Sequence, residues 1–184
     1  MRTVISYALR LMLVCLVSSG LLAFVYQATS KQIEINREVE KNRKIKAVLG
    51  AETDEIKELE QEGFKYYRGY HNGEFVGTVL ESESNGYGGP IKLLVAVDKD
   101  GGIMDISVLS HKETPGLGSQ IERPKFLGQF RGVSLDILTG KHAAANESGT
   151  NGIDTITAAT ISSNAVIKAA GSALEKFNEV KDAR

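Results

Sequence analysis

The sequence predicts an α+β protein, with an N-terminal transmembrane helix and a helical stalk before a mostly antiparallel sheet with packed helices. Three observations support this fold class. Residues 11–30 carry no charged side chain, two hairpin patterns follow in the middle of the chain, and a helical repeat of apolar residues comes last. We therefore divide the chain into an anchor at residues 1–30, a stalk at 31–62 and a domain at 63–184.

The uncharged segment is long enough to cross a membrane, because twenty helical residues span about 30 Å. Arg2 and Arg10 precede it, which under the positive-inside rule leaves the N-terminus in the cytoplasm and the domain outside. A cleaved signal peptide is the alternative. Residues 24–30 lack a clear cleavage site between small residues, so we favour an uncleaved single-pass anchor at residues 11–30.

The stalk is rich in charge and compatible with two helices. Gly50 is expected to end the first of them, and Thr53 or Asp54 to cap the second. Beyond the stalk, residues 64–80 read as a hairpin with Asn72 and Gly73 at its turn. Residues 91–97 and 103–109 read as a second hairpin, so the sheet is at least partly antiparallel.

The segments between these hairpins and the last helix are less regular. Residues 86–90 contain three glycines and Tyr87, which indicates a wide turn or a close backbone approach to a ligand. Residues 124–132 read as a short helix with Phe126 and Phe130 in the core, and residues 134–138 as a further strand. Residues 141–152 are predicted to be a loop that leads to Asp154.

The last helix is expected to begin directly after Thr160 and to run to about Phe177. Ser162 and Ser163 lie in its first turn. Free backbone N–H groups and the positive end of the helix dipole form an anion site there, suitable for phosphate. An ordinary helix cap at Thr160 is the alternative interpretation.

Composition excludes several classes of function. The chain has 22 Lys and Arg against 23 Asp and Glu without a basic block, so nucleic acid is not an expected partner. The one cysteine, Cys15, lies in the apolar segment, and His71, His111 and His142 are far apart. We therefore expect no disulfide framework and no metal site, and the sequence contains no recognisable catalytic dyad.

Three motifs resemble those of one family. Residues 154–160 read D-x-x-T-A-A-T, similar to the D-x-x-(S/T)-G-A-T flavinylation motif of the FMN-binding domain found in Rnf and Na+-translocating NADH:quinone reductase complexes. Ala158 stands where that family usually has Gly. Residues 86–91 resemble its G-Y-x-G-P-I run, and residues 113–118 its E-T-P-G-L-G loop. The resemblance covers about residues 66–177, with the motifs in the order of the family.

The resemblance implies that Thr160 carries FMN through a phosphoester bond and that the 113–118 loop lies over the isoalloxazine ring. Thr114 is the best candidate for a side-chain hydrogen bond to the flavin. A flavin transferase that uses FAD and Mg2+ would make the bond. The implied cofactor-binding residues are Tyr87, Glu113, Thr114, Gly116, Leu117, Gly118, Thr157, Ala159, Thr160, Ser162 and Ser163. The implied transferase-recognition residues are Asp154, Thr157, Ala159 and Thr160. For Asp154, a favourable interaction with the helix dipole is the alternative.

By the same resemblance the chain is an electron-carrier subunit that is not catalytic alone. The closest likeness is to the G-type subunits of Rnf complexes, ion-translocating ferredoxin:NAD+ oxidoreductases. This implies a bacterial or archaeal inner or plasma membrane, with other membrane subunits of an electron-transport complex as partners. A C-type subunit of a Na+-translocating NADH:quinone reductase is one alternative. A scaffold module that never receives flavin is another, and Ala158 favours it.

Overall fold

The structure, a computed structural model, describes residues 2–61, 63–138 and 152–181. The chain divides into two compact units, with the boundary after Lys41. Helix α1, Arg2–Leu49, begins in the first unit and ends in the second. Within the described ranges, one helix is long and apolar enough to cross a membrane, with a mean hydropathy of 2.2 in its most apolar window. Gly50, at φ 99°, follows its last residue, as predicted.

The second unit contains a five-stranded sheet in the order β1-β2-β3-β4-β5, and every neighbouring pair is antiparallel. The strands are β1 Glu55–Gln61, β2 Phe64–His71, β3 Glu74–Asn85, β4 Pro90–Val97 and β5 Ile103–Ser110. Both predicted hairpins are confirmed. Asn72 and Gly73 have φ values of 50° and 84°, as a tight two-residue hairpin turn requires.

The sheet carries a helix on each face. Successive residues of a strand point to opposite faces, and the two clusters of buried side chains follow that alternation. Leu80, Leu93 and Val95 pack in the cluster that contains Val166, Ala170 and Leu174 of the last helix. Val79, Leu94 and Ala96 pack with Ile45, Val48 and Leu49 at the end of α1. The second unit is therefore a helix–sheet–helix sandwich.

The predicted second stalk helix is wrong, since residues 55–61 form β1. Glu, Lys and Leu favour a helix locally, but every residue of this segment pairs with β2, from Glu55 opposite Tyr70 to Gln61 opposite Phe64. Leu59 packs against the core. Strand pairing and burial therefore override the local preference.

Three short helices follow or replace predicted elements. Pro124–Leu127 forms α2 and continues as a 3-10 turn, with Phe126 and Phe130 both buried as expected. The predicted strand at 134–138 is wrong, because Leu135–Leu138 is a helical turn, α3, started by a bond from Leu138 N–H to Ser134 O.

The predicted 141–152 loop lies outside the described residues except for Gly152. The last helix, α4, is Thr160–Lys181, one turn longer than predicted.

The meander brings two distant loops to one edge of the sheet. The β3–β4 connection and the end of β5 meet there, because Asn85 pairs with Pro90 and Lys92 pairs with Ser110. The segment after β5 crosses this edge and enters a 3-10 turn at Gly118–Glu122. The start of α4 lies against the same segment, since Ser162 contacts Glu113.

Candidate functional site

A cleft of about 540 Å³ lies at this edge of the sheet, within the usual size range for ligand sites. Three segments form it: the β3–β4 loop, the loop after β5 and the start of α4. Its lining residues are Tyr87, Glu113, Thr114, Leu117, Gly118, Ala158, Ala159, Thr160, Ile161 and Ser162. Of the residues predicted to bind the cofactor, Gly116, Thr157 and Ser163 are not among them.

Thr160 is the first residue of α4, and its side chain is exposed. Ser163 N–H donates to Ala159 O at 2.9 Å. The N–H groups of Thr160, Ile161 and Ser162 precede that bond and have no carbonyl four residues earlier within the helix. Ala159, at the position of the N-cap, has no side-chain acceptor for them. Thr160 is therefore not the cap residue, and its hydroxyl stands beside open donors that suit an anion.

Ser163 supports the site from beneath. Its side chain is fully buried, accepts a bond from Ile156 N–H at 3.0 Å and donates to Ala159 O at 3.0 Å. Ala159 N–H also donates to Ile156 O. These bonds fix the loop before α4, so Ser163 acts on the cleft indirectly and its hydroxyl does not face a ligand there.

Asp154 and Thr157 lie on the loop before Thr160 and both are exposed. The Gln129 amide binds the Asp154 backbone from both sides, accepting from Asp154 N–H at 2.8 Å and donating to Asp154 O at 3.3 Å. This arrangement holds the backbone and leaves the Asp154 carboxylate facing solvent. That a flavin transferase recognises Asp154 and Thr157 stays a prediction.

The loop after β5 is shaped by its own bonds. Gly116 has a φ of 79°, donates its N–H to Ser119 Oγ at 2.9 Å and accepts from Gln120 Nε2 at 2.6 Å. Gly116 therefore forms the turn and presents no group to the cleft. The Thr114 carbonyl accepts bonds from Leu117 N–H and Ser119 N–H. Thr114 is exposed and lines the cleft, so its hydroxyl is accessible to a ligand there.

Three exposed apolar side chains surround the cleft: Tyr87, Leu117 and Ile161 are 75%, 48% and 56% exposed. Among the described residues of the second unit, Ile56 and Ile137 are the other large apolar side chains that are exposed. Exposed apolar surface of this kind is typical of a binding site. Sequence reasoning missed Ile161, although its position off the buried face of α4 could have indicated it.

Ala158 has a φ of 63°, in the left-handed region of backbone conformation that residues other than Gly rarely adopt. A residue with a Cβ is destabilised there by about 1 to 2 kcal/mol. We expect Ala158→Gly to raise the free energy of unfolding by about 1 kcal/mol, measured by denaturant unfolding. Ala165→Gly inside α4 is the control and should lower it by a similar amount. A loss of stability in Ala158→Gly would contradict the strain.

Comparisons with known proteins identify the family of the chain. Residues 86–175 match the model of the FMN-binding domain, and residues 1–48 match that of the RnfG N-terminal region. The G subunit of the proton-translocating ferredoxin:NAD+ oxidoreductase complex of Clostridium ljungdahlii is 36% identical over 167 residues, which cover 90% of this chain and 87% of that protein. The chain belongs to this G-subunit family.

Other relatives extend the comparison. In Methanosarcina acetivorans, the G-type component of the ion-translocating oxidoreductase complex is 33% identical, with 86% of each chain covered. The crystal structure of Shewanella oneidensis NqrC is similar in fold, with a TM-score of 0.54 and 23% identity. That match covers 66% of this chain and 62% of the NqrC chain.

Proposed function

We propose that this G-subunit family member is a membrane-anchored electron carrier of an ion-translocating ferredoxin:NAD+ oxidoreductase complex, with FMN joined covalently to Thr160. One observation carries the proposal. An exposed Thr hydroxyl, the open N–H groups of a helix start and three exposed apolar side chains lie in one cleft. A phosphate and a flat aromatic ring system together need that combination.

The residues divide the recognition of FMN between them. The N–H groups of Ile161 and Ser162 would hold the phosphate, and Tyr87, Leu117 and Ile161 would contact the ring. The Thr114 hydroxyl is the side-chain donor or acceptor for polar atoms of the ring. FMN itself supplies the redox chemistry when attached, while the chain positions it.

Attachment requires a separate enzyme in this proposal. A flavin transferase would bind FAD with Mg2+, and the Thr160 oxygen would attack the phosphorus of the FMN half. The new bond joins Thr160 Oγ to that phosphorus, the pyrophosphate bond breaks, AMP leaves and the hydroxyl proton is released. The exposed side chains of Asp154 and Thr157 are available for the transferase to contact.

An uncharged segment preceded by two arginines supports a single-pass topology. We propose that residues 11–30 cross the membrane once, with Arg2 and Arg10 on the cytoplasmic side and the FMN-binding domain outside the cytoplasm. The partners would be the other membrane subunits of the complex. A covalent bond suits a carrier outside the cytoplasm, because lost flavin is not replaced there.

Intact mass after denaturation tests the proposal. Full-length protein from cells with the matching transferase should gain about 438 Da, the mass of FMN minus water, as expected for a phosphoester. Protein from cells without the transferase is the control and should show the mass of the sequence alone. The unmodified mass in both preparations would overturn covalent attachment and favour the scaffold function. The same spectrum shows whether residues 1–30 are retained.

A further inference from the structure

A buried carboxylate connects the three segments of the cleft. The Glu113 side chain is 6% exposed. Its Oε2 accepts a bond from the Ser162 hydroxyl at 2.6 Å, and its Oε1 accepts one from Gly88 N–H at 3.0 Å. Hydrogen bonds to a carboxylate are stronger than those between neutral groups. Glu113, on the loop after β5, therefore holds both α4 and the β3–β4 loop.

The backbone of Glu113 is held as well. Its N–H donates to His111 Nδ1 at 3.0 Å, and His111 Nε2 lies 3.3 Å from Glu122 Oε1. Because Nδ1 accepts a bond, the neutral ring carries its proton on Nε2, where the Glu122 carboxylate can accept it. These contacts fix the backbone of Glu113 and so restrict where its side chain can lie.

Glycine residues pack directly against the Glu113 segment. A Cβ added at Gly118 would lie 2.5 Å from Glu113 Oε2, and one added at Gly86 would overlap Glu113 Oε1. A Cβ added at Gly88 would overlap the Lys112 carbonyl oxygen. The chain therefore packs directly against Glu113 on several sides, and its two oxygens are already bonded to groups of the chain.

We propose that Glu113 is a positioning residue, which sets the β3–β4 loop and the first turn of α4 in place before any flavin is attached. This role is separate from the expected contact between Glu113 and the flavin, which stays a prediction because Glu113 also lines the cleft. The Ser162 hydroxyl proton points to Glu113, so Ser162 offers an anion only its backbone N–H. This role rests on the proposed function for its site. The bonds from the Ser162 hydroxyl and Gly88 N–H to Glu113 exist without FMN.

Hydrogen exchange in flavin-free protein tests it. The background is the full chain with Thr160→Val in detergent, and the measurement is amide exchange in the peptide covering residues 84–92. Glu113→Ala should speed exchange at Gly88 at least tenfold, because its N–H loses the acceptor. Glu113→Gln should restore the slow rate, because the amide oxygen still accepts. Glu83→Ala removes an exposed carboxylate from β3 and should change nothing.

The Ser162 bond is tested by a double-mutant cycle in the same background. Glu113→Ala and Ser162→Ala should each lower the thermal unfolding midpoint, and the double variant should lose less than the sum. Additive losses would overturn the Ser162 contact, and unchanged Gly88 exchange in Glu113→Ala would overturn the positioning role. Neither result depends on flavin, so a failure here is distinct from a failure of covalent attachment.

Discussion

Thr160→Val is expected to abolish covalent flavin attachment, from near-complete modification of the wild type to none. Valine keeps the shape of the side chain at the start of α4 but removes the oxygen that would bond to phosphorus. Thr160 is exposed, so the free energy of unfolding of the unmodified protein should change by about 0.5 kcal/mol or less. Intact mass and in-gel flavin fluorescence after denaturation measure the loss.

Thr155→Val is the matched control for this variant. Thr155 lies in the same loop, does not line the cleft and is a variable position of the motif. It should keep full modification. Flavin that stays covalently attached in Thr160→Val would mean that another hydroxyl is the acceptor, and Thr114 would be the first candidate because it lines the same cleft. Loss of flavin in both variants would indicate damage to the loop and not to the acceptor.

The convergence of the site segments could be predicted from two turns. Asn72-Gly73 and the 98–102 turn each indicate a hairpin, and in the structure the pairing of β3 with β4 joins the two hairpins into a meander. A meander brings residues 86–90 and the end of β5 to the same edge of the sheet. That Thr160 and the 113–118 loop belong to one site was predicted only from the resemblance to the FMN-binding domain. Physical patterns in the sequence alone do not predict it.

Two features were beyond local sequence reasoning, because contacts between distant parts of the chain decide both. Residues 55–61 have helical preference and form a strand only because β2 pairs with them along their whole length. Glu113 was expected to contact the flavin because residues 113–118 resemble the E-T-P-G-L-G loop of the FMN-binding domain. In the structure its carboxylate is bonded within the chain. Its partners are a backbone N–H 25 residues earlier and a hydroxyl 49 residues later, and no periodicity in the sequence indicates such contacts.

Gly88→Ala is expected to lower the free energy of unfolding by about 2 to 3 kcal/mol, because the new Cβ would overlap a backbone atom, the Lys112 carbonyl oxygen. A flexible side chain could move aside, but this carbonyl lies next to Glu113, which is bonded to both neighbouring segments. The β3–β4 loop must then shift and lose its bond to Glu113 Oε1. Denaturant unfolding of the flavin-free Thr160→Val chain measures the change.

Gly128→Ala is the matched control for that variant. Gly128 has a φ of −62° and open space around its Cα, so alanine there should be neutral or stabilise by about 0.4 to 1 kcal/mol through the unfolded state. If Gly88→Ala were as stable as Gly128→Ala, the close approach of the two loops would be wrong. The larger loss at Gly88 would instead show that the glycines of the 86–89 loop allow its backbone to approach the Glu113 segment. The close approach of the two loops would then explain why glycines occur in the run at residues 86–91.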